Sequence, residues 1–287
     1  MSDFSDDWLA LRAAADGRAR ADGLLTALLQ DWPAPREVVD LGAGTGANLR
    51  HLVKHLGHGQ RWTCVDHDPA LLARLPVRTK ARAQSAGDVC DDGPQGFRYS
   101  GDGWSCTVTT RRLDLAADLD RLELPNGGLV TASALLDLVS EAWLERLLHR
   151  ALEARCRLLF ALSYDGRCRL DPALPGDAGV IGLVNAHQCG DKGFGPALGP
   201  AAADRTSALC RGLGYRVESE NSDWLIGPHE TALQRALLDG WLAAALEMTP
   251  QASASLTAWR QAREARISEG ISRIEVGHRD IAATPDP

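Results

Sequence analysis

Four aspartates stand at or just beyond the ends of apolar runs: Asp40 after Val38-Val39, Asp66 after Cys64-Val65, Asp114 within Leu113-Asp114-Leu115, and Asp137 after Leu135-Leu136. Between the first two, Gly42-Ala43-Gly44-Thr45-Gly46 sets glycine at every second position. Glycine tolerates φ > 0 and lets the backbone approach a ligand closely, and the helix expected through Leu49, Leu52, Val53 and Leu56 brings unpaired N–H groups to its start. The chemistry implied is capture of a nucleotide-like ligand. A second group of residues carries proton-transfer chemistry: Tyr164, Asp165, His187 and Lys192, with Asp137 beside them. Of these side-chain types, histidine is the one suited to proton transfer near neutral pH.

Such residues need a scaffold of strands ending on one side. Val38-Val39-Asp40-Leu41, loop, helix, then Arg61-Trp62-Thr63-Cys64-Val65-Asp66 reads as a βαβ unit, continued by His67-Asp68-Pro69 and a helix from Ala70 to Leu75. Asp66 falls 20 residues after Gly46, where a Rossmann-like fold places the acid that holds a ribose hydroxyl pair. Further strands are expected at Ser105–Leu115, Gly128–Ser133 and Arg157–Ser163, the last an unbroken apolar run suited to a strand covered on both faces. A helix is expected over Glu141–Ala154 and another over Ala201–Leu213. Closing strands are expected near Tyr215 and Trp224, and two helices over Glu230–Met248 and Ala252–Arg266, followed by a polar tail. Residues 76–104, rich in Gly, Asp and Ser after the basic Arg78, Lys80 and Arg82, predict an irregular surface insertion. Tyr164–Arg167 reads as a loop, and Asp191–Pro200 is too rich in Gly and Pro for a regular element.

The segment Asp40-Leu41-Gly42-Ala43-Gly44-Thr45-Gly46 resembles the first motif of class I S-adenosylmethionine-dependent methyltransferases. Asp66, Leu113-Asp114-Leu115 and Val130–Asp137 resemble that family's ribose-binding acid, its adenine-contacting turn and its strand-four motif, so the likeness spans about residues 30–226. The resemblance implies an α/β fold: a Rossmann-like, seven-stranded, mostly parallel sheet with an antiparallel closing strand and helices on both faces. It implies S-adenosyl-L-methionine as cofactor, held by Asp40, Gly42, Ala43, Gly44, Gly46, Asp66, His67, Asp114, Leu115, Ser133 and Asp137. Strand-end acids complement a ligand bearing a sulfonium and an ammonium, while its carboxylate calls for donors: loop amides and Arg18, with Arg20 as second choice. A dinucleotide site competes, because Gly42, Gly44 and Ala47 satisfy G-x-G-x-x-G/A. Against it, Asp40 brings negative charge toward a pyrophosphate, and acids recur at 114 and 137.

The expected organisation is an N-terminal helical lid at 1–32, a methyltransferase core at 33–228 and C-terminal helices with a tail at 229–287. Methyl transfer to a small-molecule acceptor is the expected reaction, with 187–195 shaping acceptor specificity. An RNA or protein acceptor, a non-catalytic cofactor-binding protein and an NAD(P)-dependent oxidoreductase are the alternatives. The formal charge of −7 disfavours nucleic acid as partner, and the 45% apolar composition supports a sizeable core. No apolar run suffices for a membrane span, and the acidic start Ser2-Asp3-Phe4-Ser5-Asp6-Asp7 lacks the basic region of a signal peptide, so a cytoplasmic protein is expected. Seven cysteines without a CxxC pair suggest neither zinc cluster nor disulfide framework, and no metal site is evident. The apolar stripe Leu233, Leu237, Leu238, Trp241, Leu242 and Leu246 suits either packing on the core or a dimer face, so a monomer or homodimer is expected.

Overall fold

The run ending at Asp40 is strand β1 (Glu37–Leu41) in the computed structural model, which describes residues 5–30 and 32–286. Met1–Phe4 and Asp31 of the expected lid and Pro287 of the tail lie outside the described residues. Ahead of β1 come helices α1 (Asp6–Ala19), whose first turn is capped by the Ser5 hydroxyl accepting from Trp8 N, and α2 (Gly23–Leu29). Helix α3 (Ala47–Leu52) starts from Gly46 at φ 81° and tightens into a 3₁₀ turn at Val53–His55. Strand β2 (Gln60–Asp66) pairs parallel with β1 and leads into α4 (Pro69–Ala86).

Here the structure departs from the sequence reading. Helix α4 runs through Pro76 to Ala86, because Leu71, Leu72, Leu75, Thr79 and Ala83 recur at helical spacing and bury one face. The Gly-rich stretch beyond it is a meander of β3 (Val89–Gly93), β4 (Gly96–Gly101) and β5 (Trp104–Arg112), joined antiparallel. Its glycines sit in the two hairpin turns, and Phe97, Tyr99, Cys106 and Val108 alternate inward between them. The expected irregular insertion is therefore regular.

Strand β6 (Leu129–Ser133) flanks β1 on its other side, followed by α5 (Glu141–Glu153) and β7 (Arg157–Asp171). Strand β7 continues through Tyr164–Arg167, expected as a loop, because β10 (Arg273–Pro285) pairs along it as far as Asp171. Between them the chain forms α6 (Asp177–Gln188), the irregular 189–198 segment, α7 (Ala202–Gly212), β8 (Tyr215–Asn221), β9 (Trp224–Ile226), α8 (Thr231–Met248) and α9 (Ser253–Ser268).

The sheet order is β3-β4-β5-β2-β1-β6-β7-β10-β8, with β9 also on β10. β5, β2, β1, β6 and β7 run parallel, and β10 lies antiparallel to β7 and to β8. This is a Rossmann-like, doubly wound sheet of ten strands, not the expected seven: the β3–β4 hairpin extends one edge, β9 adds to β10, and antiparallel β10 lies between β7 and β8. The closing strand is the expected polar tail, because β8 and β9 both pair with β10 rather than with each other. Helices α8 and α9 are thus an insertion before the last strand. Their apolar faces join Val180 and Val184 of α6 and Ala15 of α1 in a packed cluster, so the stripe covers the core.

Candidate functional site

In an open α/β sheet, ligands bind beyond the carboxyl ends of the strands where the strand order reverses, here between β1 and β6. A cavity occupies that place. The β1–α3 loop supplies Gly42 to Thr45, the end of β2 supplies Asp66 and His67, the turn after β5 supplies Asp114 and Leu115, and the end of β6 supplies Ser133. Gly42 and Gly44 have φ of 62° and 51°, conformations that L side chains rarely adopt, and a Cβ on Gly44 would lie 3.3 Å from Leu9 of α1. Ala134, just past β6 on the cavity wall, has φ 53°, an unusual non-glycine backbone of the kind that gathers at ligand sites.

Asp66 is nearly buried and held from both sides: one oxygen accepts from Gly44 N at 2.8 Å and the other from Asp68 N at 2.9 Å. Asp114 accepts from Ala116 N at 2.9 Å. Both carboxylates are thereby fixed in orientation at the cavity. Asp40 plays a different part. It is fully buried beneath the loop and does not line the cavity; one oxygen accepts from Asn48 Nδ2 at 2.7 Å, the other has no partner, and burial raises its pKa to about 7. Asn48 in turn accepts from Arg20 at 2.6 Å. Gly46 also stands back, and a Cβ there would meet Leu75 at 2.7 Å. Asp137, buried in a 3₁₀ turn at Leu136–Leu138 with pKa raised by burial to about 6, lies behind the wall with one oxygen unpartnered.

Helix α1 forms a wall through Leu9, Arg12 and Asp16, none of them among the expected site residues. Their i, i+3, i+7 spacing puts them on one helical face. Arg12 Nε donates to Asp16 at 3.0 Å, its guanidinium lies 4.9 Å from the Trp224 ring centre, and Trp224 Nε1 donates to Asp16 at 3.1 Å. Arg18, expected at the site, instead pairs with Glu230 at 2.5 Å on the surface, where α1 meets the start of α8.

Of the four proton-transfer candidates, the cavity receives Lys192. His187 stands behind it, its Nδ1 3.3 Å from Lys192 Nζ and its Nε2 3.0 Å from Glu247. The Tyr164 hydroxyl donates to Asn185 at 2.6 Å, and burial pushes it far above the usual phenol range. Asp165 is tied to Arg167, whose guanidinium also reaches Asp223 at 2.7 Å. Phe194, edge-on to Trp143 with ring centres 5.2 Å apart, brings an aromatic surface to the cavity.

No family model and no curated protein sequence matches the chain. Similar solved structures include Haemonchus contortus phosphoethanolamine N-methyltransferase 2 in complex with S-adenosyl-L-methionine, at 13% identity and TM-score 0.47, covering 100% of this chain and 58% of that one. A SAM-dependent methyltransferase from Thiobacillus denitrificans in complex with S-adenosyl-L-homocysteine has 16% identity and TM-score 0.46, covering 99% and 100%. Another from Geobacter sulfurreducens, also with S-adenosyl-L-homocysteine, has 18% identity and TM-score 0.43, covering 100% of both chains. The chain spans 58% of the length of the Haemonchus protein.

Proposed function

We propose that the protein is an S-adenosylmethionine-dependent methyltransferase acting on a small-molecule acceptor. The carrying observation is the clustering, at one strand-order reversal, of a glycine loop with Asp66 and Asp114, each carboxylate oriented by backbone amides. The residues fit that cofactor. Asp66 suits a ribose hydroxyl pair, because an ionised carboxylate accepts from two donors. Asp114 and Leu115 provide an acceptor and an apolar surface for an adenine. Arg12, rather than Arg18, is the cation placed to meet the methionyl carboxylate.

When bound, the cofactor supplies a methyl group on a positively charged sulfur, already activated for in-line displacement by an acceptor lone pair. The chain's task is alignment and exclusion of water. Leu9 closes over the glycine loop, Phe194 offers a face for an apolar acceptor part, and Lys192 and Asp16 set polar contacts. Lys192 is the residue placed to manage an acceptor proton, with His187 positioning its ammonium.

Titration calorimetry separates this reading from a dinucleotide site. S-adenosylhomocysteine is expected to bind and NAD(P) not to. Asp66→Ala is expected to weaken binding at least tenfold, about 1.4 kcal/mol. Binding of NAD(P) without S-adenosylhomocysteine would overturn it. A gain of one methyl in a metabolite mixture, read by mass spectrometry, distinguishes an enzyme from a cofactor-binding protein.

A further inference from the structure

Away from the cavity, Asp22 in the α1–α2 connection faces two histidines one helical turn apart, His51 on α3 and His55 in the following 3₁₀ turn. His51 Nε2 lies 2.7 Å from one Asp22 oxygen and His55 Nε2 lies 3.7 Å from the other. One ligand atom from each residue lies within 4.8 Å of the other two. Asp22 occupies the N-cap position of α2, yet its carboxylate makes no capping bond. His55 Nε2 is buried and has no hydrogen-bond partner. The His51–Asp22 contact is accounted for as an imidazole–carboxylate hydrogen bond, but a buried imidazole nitrogen aimed at the same carboxylate without reaching it is not.

We propose that Asp22, His51 and His55 form a site for a divalent transition metal of the zinc class, clasping the lid connection to helix α3. Two imidazoles and one carboxylate suit zinc, cobalt or nickel, whereas magnesium and calcium prefer all-oxygen sets. Bonds of about 2.0–2.1 Å in tetrahedral geometry place donor atoms roughly 3.3 Å apart. The histidine nitrogens lie 2.7 and 3.7 Å from the two Asp22 oxygens and the three ligand atoms within 4.8 Å of one another, so side-chain rotations draw them to that separation. Asp22 is half exposed, which leaves a path from solvent and a fourth position for water. Arg20 and Lys54 are the neighbouring cations and oppose the ion's charge. The sequence alone hid the set, because the carboxylate and the His-x₃-His pair come together only when the lid connection folds onto α3. A metal here ties that connection to the helix that follows the glycine loop.

The test uses the full chain, stripped with a chelator and titrated with cobalt(II), followed by its visible ligand-field absorption. One equivalent is expected to give a tetrahedral band that zinc displaces, and zinc is expected to raise the unfolding midpoint. Asp22→Asn and His55→Gln are each expected to weaken cobalt binding at least tenfold. Asp22 is a surface residue, so its variant decides the matter if the histidine variant fails to fold. Absence of a band, or a band unchanged in Asp22→Asn, overturns the site. Neither readout involves a methyl donor, so failure here is distinct from failure of the methyltransferase reading.

Discussion

Asp40 carries the least satisfied charge beneath the glycine loop. Asp66 has a backbone amide for each oxygen and Asp114 has amides on one, whereas Asp40 has Asn48 for one and nothing for the other. Burial raises its pKa to about 7, against the pull of Asn48 and Arg20. The folded chain therefore keeps a proton there that the unfolded chain releases near pH 3.8. Stability from this group is complete below that pH and is lost as pH rises toward 7. Asp40→Asn, neutral and nearly isosteric, removes the loss. Its melting temperature relative to the parent is expected to climb between pH 5 and pH 8, by the equivalent of a few kcal/mol at most. Thermal melts across that range check it; a difference independent of pH would show that Asp40 is not the group that titrates there.

Helix α1 shows how an element acquires a role through what it packs against. Arg12 is buried between Asp16, Trp224 and the cavity, while Arg18, two turns further, is tied to exposed Glu230. A charge-assisted bond from Arg12 to a bound carboxylate is worth roughly 1.5–3 kcal/mol, and a surface pair roughly 0–1 kcal/mol. Arg12→Ala is accordingly expected to weaken S-adenosylhomocysteine binding about tenfold or more and Arg18→Ala to leave it within a factor of about two, as calorimetry would read; equal effects would remove Arg12 from the site. The contrast also shows what the sequence could convey. The glycine loop, Asp66, Asp114 and Ser133 were legible because local pattern determines them: each sits where an apolar run stops. Arg12 was not, since α1 is polar on most faces and its cavity face is chosen by Trp224, more than two hundred residues away in the chain. Nor was the β3–β5 meander, whose turn glycines outweighed the inward alternation of Phe97, Tyr99, Cys106 and Val108. The four base candidates were chosen by residue type and nearness to strand ends. Position in the fold puts Lys192 at the cavity and leaves Tyr164, Asp165 and His187 out of its lining.

Across the whole molecule, β10 joins parts that the sequence presents as separate. The sequence suggests a polar tail here, ending in Pro285-Asp286-Pro287, although Ile274, Val276, His278 and Asp280 alternate inward with period two. Two of those four are polar and yet buried for a reason. Asp280 accepts from Leu162 N at 2.7 Å and from Ala21 N at 3.1 Å, tying β7 and the α1–α2 connection to the last strand. His278 packs against Tyr164 and Trp224, and burial lowers its pKa to about 4. Flanked by β7 on one side and by β9 and β8 in turn on the other, the strand also buries Ile274, Val276 and Ile281, at about 1.5–3 kcal/mol each. That sum is comparable to the whole stability of an ordinary domain, about 5–15 kcal/mol. Removing it would open both β7 and β8 as unpaired edges and strip β9 of its partner. A chain ended after residue 228, which retains every strand of the parallel sheet and every residue of the cavity, is therefore expected to lose cooperative unfolding and the near-ultraviolet dichroism of its packed tryptophans. If that fragment melts cooperatively and binds S-adenosylhomocysteine, the last strand and the helices before it are an appended unit; if it does not, residues 229–286 belong to the fold that builds the site.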